Sequence, residues 1–384
     1  MAVMNFSIPR NVAYGKGALD NLAQLSGKRA AIVTGGSSMK KFGFLDQCKE
    51  LLKKAGMETI IIDGVEPNPS VETVMRGAKE MGAFGPDWIV AIGGGSALDA
   101  AKVMWCFYEH PELSFEDIIA VGSMPPLRNK AKFIAIPSTS GTASEITAFS
   151  VITDTENHIK YPIVAGDMVP DLAILDPDLP AKMPPHITAN TGMDVMAHAV
   201  EAVASTAATC FTDPYAMEAI KLVLANLPTA YEKGDDDEAR YNMHNASSLA
   251  GMAFTNASLG LVHSLAHKIG GEFGVTHGLA NAILLPYIID YNRKFSDKYD
   301  MVEKSLEIDD LAEEIRKMNE KLNIPATFKE CDEVDFGEDK FKEVLERMSV
   351  NAHGDPCTLT NPGAPTPADV KAIYEAAYYG TSMK

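Results

Sequence analysis

Four of the nine histidines fall at spacings that chemistry can use. Asp194 and His198 stand four residues apart in a stretch with helical patterning, so both project from one helix face. His263 and His267 repeat that spacing, and His277 follows beside Gly278. One carboxylate and three imidazoles complete the ligand set of a mononuclear divalent cation. A lone pair of this kind more often marks a capped or solvated helix face. Two pairs and a fifth candidate, in helices with few other charges, favour the metal reading. Imidazole and carboxylate suit Fe(II), Zn(II), Co(II) or Ni(II), and no thiolate is placed to select zinc. Five candidates exceed four ligand positions, and spacing leaves open which one is spare. His110, His158, His186, His244 and His353 have no such context and read as structural or exposed.

A second chemistry resides in three turns. Gly93-Gly94-Gly95-Ser96 follows the apolar run Trp88–Ile92 and opens a helical segment carrying Asp99 and Lys102. Glycines at a strand-to-helix turn let backbone N–H groups approach a pyrophosphate, and the helix N-terminus adds partial positive charge. The bland alternative is a tight turn that needs glycine for its dihedrals. Thr34-Gly35-Gly36-Ser37-Ser38 precedes Lys40 and Lys41. An acid there would read a ribose 2′-hydroxyl; hydroxyls and lysines instead lean towards a 2′-phosphate, hence NADP(H). A competing reading takes Asp63 as the ribose reader and favours NAD(H). Ser138-Thr139-Ser140-Gly141-Thr142 could hold phosphate or ribose, or merely satisfy its own backbone, with Glu145 closing a capping box on Thr142.

The elements that must position these groups change character along the chain. Ala30–Thr34, Thr59–Asp63, Trp88–Ile92, Phe133–Pro137 and Leu172–Leu175 read as buried parallel strands. Between them lie helical patterns at Lys40–Ala55, Val71–Met81 and Ala97–Tyr108. That alternation predicts a doubly wound, Rossmann-like parallel sheet over residues 1–181. Residues 182–384 read as an all-helical domain bearing the metal ligands, with no convincing strand.

Composition narrows the partners. Of 384 residues, 46% are hydrophobic and 22% charged, which is globular composition. Lysine plus arginine number 34 against 52 acids, a net charge of −18. Nucleic acid is therefore not an expected partner, since that binding rests on clustered cations. No stretch of ~18 apolar residues offers a membrane span. The start of the chain lacks the basic and apolar blocks of a signal peptide. Five widely spaced cysteines suit reduced thiols, so a cytoplasmic location is expected.

Together the motifs resemble the iron-containing (group III) alcohol dehydrogenases, especially their clostridial butanol dehydrogenase-like branch. The resemblance spans essentially the whole chain: GGGSALDAAK at 93–102, IPSTSGTASEIT at 136–147, TGMDVMAHAVEA at 191–202, HSLAHKIGGEFGVTHG at 263–278 and NAHGDPCTLTNP at 351–362. It implies that Asp194, His198, His263 and His277 hold Fe(II), or zinc in some members. His267 would be the extra histidine, near nicotinamide and substrate. Gly94, Gly95 and Ser96 would contact the pyrophosphate with Asp99 nearby. Ser138, Thr139, Thr142 and Thr147 would match the nucleotide-contacting hydroxyl loop, and Lys160 the ribose-side lysine. Gly35, Gly36, Ser37 and Ser38 look like the NADP(H)-using branch. At Phe149 the family's usual polar cofactor contact is lost.

The expected reaction is reversible hydride transfer between NADP(H), or NAD(H), and a small primary alcohol or aldehyde such as butanol or butanal. The resemblance implies a homodimer or larger assembly. One alternative is a dehydroquinate synthase-like lyase using metal and NAD. It would need several basic groups for a carboxylate and a phosphate, yet only Lys268 adjoins the histidine cluster. A non-catalytic nucleotide- or metal-binding protein is a third reading.

Overall fold

A computed structural model describes residues 5–120, 122–156 and 159–384; His158 lies outside them. The described chain divides into two compact units, one of Ser7–Lys182 and one built on Met183–Lys384 that also takes in Phe6. Phe6 is anchored there by stacking on Tyr215, with ring centroids 5.8 Å apart.

In the first unit, β1 (Asn11–Tyr14), β2 (Arg29–Gly35), β3 (Glu58–Val65), β4 (Trp88–Gly93), β5 (Lys132–Pro137) and β8 (Leu172–Leu175) form one sheet in the order β1-β8-β5-β4-β2-β3. Every pairing in it is parallel. The helices of this unit are α1 (Ser38–Lys41), α2 (Phe44–Lys54), α3 (Val71–Phe84) and α4 (Gly95–Glu109). Side-chain alternation explains why the central strands are apolar throughout. Ile89 and Ala91 of β4 enter a core shared with α3 and α4, while Val90 and Ile92 enter the opposite core shared with α2. Burial of each valine or isoleucine among them contributes roughly 1.5–3 kcal/mol relative to exposure.

In this unit three features depart from the sequence reading. The helix expected over Lys40–Ala55 breaks at Gly43, whose φ of 84° lies in the left-handed region. Strand β1 is a four-residue edge strand, too short to show a pattern. An antiparallel hairpin of β6 (Phe149–Asp154) and β7 (Ile159–Val164) was not foreseen. Its outward positions carry Val151 and Lys160 while Ser150, Ile152 and Ile163 are buried, so polarity does not follow burial cleanly.

The second unit contains α5 (Pro185–Ala204), α6 (Asp213–Glu232), α7 (Asp237–Ala257), α8 (Leu261–Phe273), α9 (His277–Asn292), α10 (Lys298–Leu306), α11 (Leu311–Lys321), α12 (Glu338–His353) and α13 (Pro367–Tyr379), with no strand among its described residues. Helix α5 is its axis. A Cβ on Gly192 would meet Leu227 Cδ1 at 2.3 Å, so that glycine permits close packing of α5 on α6. The start of α5 is fixed by the buried Arg240 of α7, which donates to Thr188 Oγ1 at 2.8 Å and to the Met183 carbonyl at 3.2 Å.

A buried cation secures the sheet unit. Lys102 is fully buried in α4 and its Nζ donates to the carbonyls of Thr147 and Phe149 at 2.7 and 2.8 Å. Burial pushes its amine down to about 8, against the opposing pull of Asp99 and Glu145. Replacing Lys102 by Met strands these carboxylates and carbonyls, and an expected loss of about 3–5 kcal/mol follows. Both tryptophans, Trp88 and Trp105, lie in this unit, so urea denaturation followed by their fluorescence reads the change directly.

Candidate functional site

Helices α5, α8 and α9 bring four of the five metal candidates together. Asp194 Oδ1 lies 3.8 Å from His198 Nε2, 3.6 Å from His263 Nε2 and 3.5 Å from His277 Nε2. Asp194, His198 and His263 are buried, whereas the His277 side chain is 42% exposed and leaves the cluster open on that side. The His198 ring is sandwiched, with Phe254 at 4.3 Å on one contact and His263 at 4.5 Å on another. His277 reaches the cluster because its neighbour is glycine. A Cβ on Gly278 would meet the Asn190 carbonyl oxygen of α5 at 2.2 Å, so no other residue lets α9 begin this close.

His267 is set apart from that group. Its Nδ1 pairs with Asp355 Oδ2 at 3.1 Å, and Lys268 Nζ donates to the same oxygen at 2.8 Å. The ring stacks on His277 at 5.6 Å, and its side chain is 38% exposed. Of the four candidate histidines, His267 is thus the one that pairs with Asp355 and not with Asp194.

The donor set fits a divalent cation. Burial alone would raise the Asp194 carboxyl, but His198, His277 and His263 outweigh it and hold the group far below the usual carboxylate range. Burial likewise opposes charge on His263, yet Glu201 and Asp194 hold it up at about 9. The same carboxylates would favour a metal cation among these donors. Asn281 donates from Nδ2 to Asp194 Oδ1 at 2.7 Å, with His277 Nε2 at 3.2 Å and His263 Nε2 at 3.3 Å. Its Oδ1 is buried without a hydrogen-bond partner. Ligand atoms of Asp194, His263 and His277 lie within 4.8 Å of one another, with His198 reaching the group through Asp194; those of His267, Asp355 and Cys357 do likewise, but Lys268 already donates to that carboxylate.

Sequence reasoning passed over Asn281, Asp355 and Glu201. Asn281 stands four residues after His277 in a helix with few charges, a spacing that could have nominated it. Asp355 lies 88 residues from His267 and carries no local signal.

In the sheet unit, the three hydroxyl- and glycine-bearing turns leave the carboxyl ends of the adjacent strands β5, β4 and β2. Strand order reverses between β4 and β2, the position where open α/β sheets bind ligands. Gly94, Gly95 and Ser96 form the start of α4, which no side chain caps. A Cβ on Gly95 would meet Thr142 Cγ2 at 2.8 Å, and one on Gly94 would meet Thr139 Cγ2 at 3.6 Å. The Ser138 amide donates to the Gly93 carbonyl at 2.8 Å, locking the two turns side by side. Within the hydroxyl loop Ala143 adopts a φ of 53°, a left-handed strain typical of functional turns. Thr147 is buried and its Oγ1 accepts from Lys102 at 3.3 Å.

Asp99 spends both carboxylate oxygens internally. Oδ1 accepts from Ser144 Oγ at 2.5 Å and Oδ2 from the Val151 amide at 3.0 Å, so its side chain braces the loop against the hairpin. At the β2 turn, a Cβ on Gly35 would meet the Val65 carbonyl oxygen at 2.6 Å, which gives that glycine a packing reason of its own. Gly36, Ser37, Ser38, Lys40 and Lys41 are exposed there, as is Asp63 on β3. Lys160 Nζ donates to Asn68 Oδ1 at 2.8 Å, holding the hairpin against the loop after β3.

Comparison with known proteins agrees with this layout. Residues 9–177 match the family model "Iron-containing alcohol dehydrogenase", and residues 188–378 match "Fe-containing alcohol dehydrogenase family, C-terminal". The chain is 50% identical to an NADPH-dependent butanol dehydrogenase of Clostridium saccharobutylicum, over 99% of this chain and all of that one. It is 36% identical to the bifunctional aldehyde-alcohol dehydrogenase AdhE of Escherichia coli K12 over 97% of its length, which is only 46% of that longer protein. Among solved structures, an iron-containing alcohol dehydrogenase from Thermococcus thioreducens superposes with a TM-score of 0.91 at 38% identity, covering 98% of this chain and 100% of that one.

His263 faces Asp194 while His267 faces Asp355, and metal analysis can tell their roles apart. Substitutions behind a metal ligand weaken binding by about 10–100-fold, so His263→Ala, which removes a direct donor, is expected to lose more than about 100-fold. His267→Ala is expected to keep the full metal content of the parent protein.

Proposed function

The chain belongs to the iron-containing alcohol dehydrogenase family, and from that premise we propose that it interconverts small primary alcohols and aldehydes with NADP(H), using Fe(II) held by Asp194, His198, His263 and His277. As a member of the family it is an oxidoreductase that acts as an alcohol dehydrogenase or aldehyde reductase. The observation that carries the site is the convergence of three imidazole Nε2 atoms within 3.8 Å of one buried carboxylate oxygen. Zinc would be tolerated by the same donors. A cation bound there supplies Lewis-acid stabilisation of charge on an alcohol or carbonyl oxygen.

The protein's own residues do the rest. Asp355 holds His267 by Nδ1, which directs Nε2 away from the carboxylate and leaves it able to exchange a proton with solvent. Amides of Gly94, Gly95 and Ser96 at the start of α4 are placed to receive a pyrophosphate, and Ser138, Thr139 and Thr142 line the neighbouring turn. Gly36, Ser37, Ser38, Lys40 and Lys41 present hydroxyls and cations suited to a 2′-phosphate. In this reading the sheet unit binds the dinucleotide, with Thr147 and Asp99 as internal braces and Lys160 on the ribose side. The helical unit binds the metal.

Butanal is the aldehyde we favour, because a relative sharing half its residues with this chain is named a butanol dehydrogenase. We further propose a cytoplasmic homodimer or larger assembly; all five cysteines are free, which fits a reducing compartment. The lyase alternative is not favoured, since the family and relatives are alcohol dehydrogenases. A non-catalytic binder leaves the Asp355-oriented His267 without a purpose.

Anaerobic loading with Fe(II), followed by NADPH oxidation with butanal, tests the proposal; turnover is expected, and its absence with every small aldehyde would contradict it. His267→Ala is expected to lower kcat by about 10²–10⁴, the usual worth of a positioned proton-transfer group. Removing Lys40 and Lys41 together is expected to reduce kcat/KM for NADPH at least about tenfold, since a charged hydrogen bond contributes about 1.5–3 kcal/mol. The value for NADH should stay unchanged.

A further inference from the structure

From Met193 to Ala204 helix α5 carries only three polar side chains, Asp194, His198 and Glu201. They occupy positions i, i+4 and i+7, so all three share one face. The first two belong to the metal cluster. Glu201 is just as deeply buried, 5% exposed, and no lysine or arginine pairs with it among the described residues. An unpaired buried carboxylate is costly, so its partners need an explanation.

Both oxygens are committed to the first turn of α8. Oε2 accepts from His263 Nδ1 at 2.5 Å, and Oε1 accepts from the Val262 amide at 2.6 Å. Gly260 makes that reach achievable, because a Cβ there would meet Glu201 Oε1 at 3.0 Å and Asn361 Oδ1 at 2.8 Å. Asn361 Oδ1 accepts from the neighbouring Leu261 amide at 3.1 Å. Two remote side chains thus satisfy the free amides that open α8. A carboxylate can only accept, so the proton on this ring sits at Nδ1. Nε2 is then the nitrogen left for a metal, and it faces Asp194 Oδ1 at 3.6 Å.

We propose that Glu201 is a positioning residue of the metal site: it fixes the His263 ring with Nδ1 protonated and Nε2 presented, and it supplies the second negative charge that balances a divalent cation. Asp194 and Glu201 together carry two negative charges in a buried cluster, which a doubly charged ion neutralises. Through hydrogen bonding the carboxylate also raises the basicity of Nε2 and strengthens its bond to the ion. This inference rests on the metal assignment made above.

Two measurements test it on the full-length protein. Competition of Co(II) against a chelator, with the visible absorption spectrum recorded, compares the parent with Glu201→Gln, which keeps size and an acceptor but loses the charge. The expected result is Co(II) binding weakened about 10–100-fold with a shifted spectrum; an affinity within about twofold and an unchanged spectrum would overturn the proposal. Should the variant fail to fold, nitrogen NMR of histidine-labelled, Zn(II)-loaded parent protein decides the matter alone. His263 protonated at Nδ1 supports the assignment, and protonation at Nε2 overturns it. If the parent itself takes up no metal, or His263→Ala binds Co(II) as the parent does, the metal reading falls first and this inference with it.

Discussion

A carboxylate buried among imidazoles governs the helical unit. Among the described residues no lysine or arginine pairs with Asp194, and its charge is held instead by His198, His263, His277 and the Asn281 amide. An ionised group in that setting is tolerable only where positive charge can gather around it. Much of the surrounding packing serves that end. Gly278 lets α9 begin against α5, Gly192 lets α5 lie close on α6, and Arg240 fixes the start of α5. Each is a close approach or a buried polar contact that would otherwise cost stability, and each sets where a ligand side chain stands.

The sheet unit follows a different rule, in which buried side chains hold the backbone of its turns. Its three turns emerge from neighbouring strands on one edge, and Gly95 is small because Thr142 leans on it. Lys102 and Asp99 tie the hydroxyl loop and the hairpin to α4 through buried hydrogen bonds.

Legibility in the sequence tracked how local each signal was. The five core strands announce themselves as short apolar runs because both faces are buried, and the helical half shows its period plainly. The β6–β7 hairpin was missed because it mixes exposed Val151 with buried Ser150, so neither alternation nor a continuous run appears. Helix α10, with only Tyr299, Val302 and Glu303 buried, is too short and polar to stand out. At the metal cluster, spacing nominated five residues, but choosing among histidines depends on Asp355, far away in the chain. Glu201 was hidden for a different reason: in isolation a glutamate on a helix reads as a solvated residue, and only the fold reveals it as buried.

Iron K-edge X-ray absorption of the anaerobically loaded protein tests the central claim most directly. We expect an innermost shell of nitrogen and oxygen alone, with the outer scattering of three imidazole rings. A sulfur scatterer in that shell would place the ion with Cys357 in the His267–Asp355 grouping and contradict the assignment to Asp194, His198, His263 and His277.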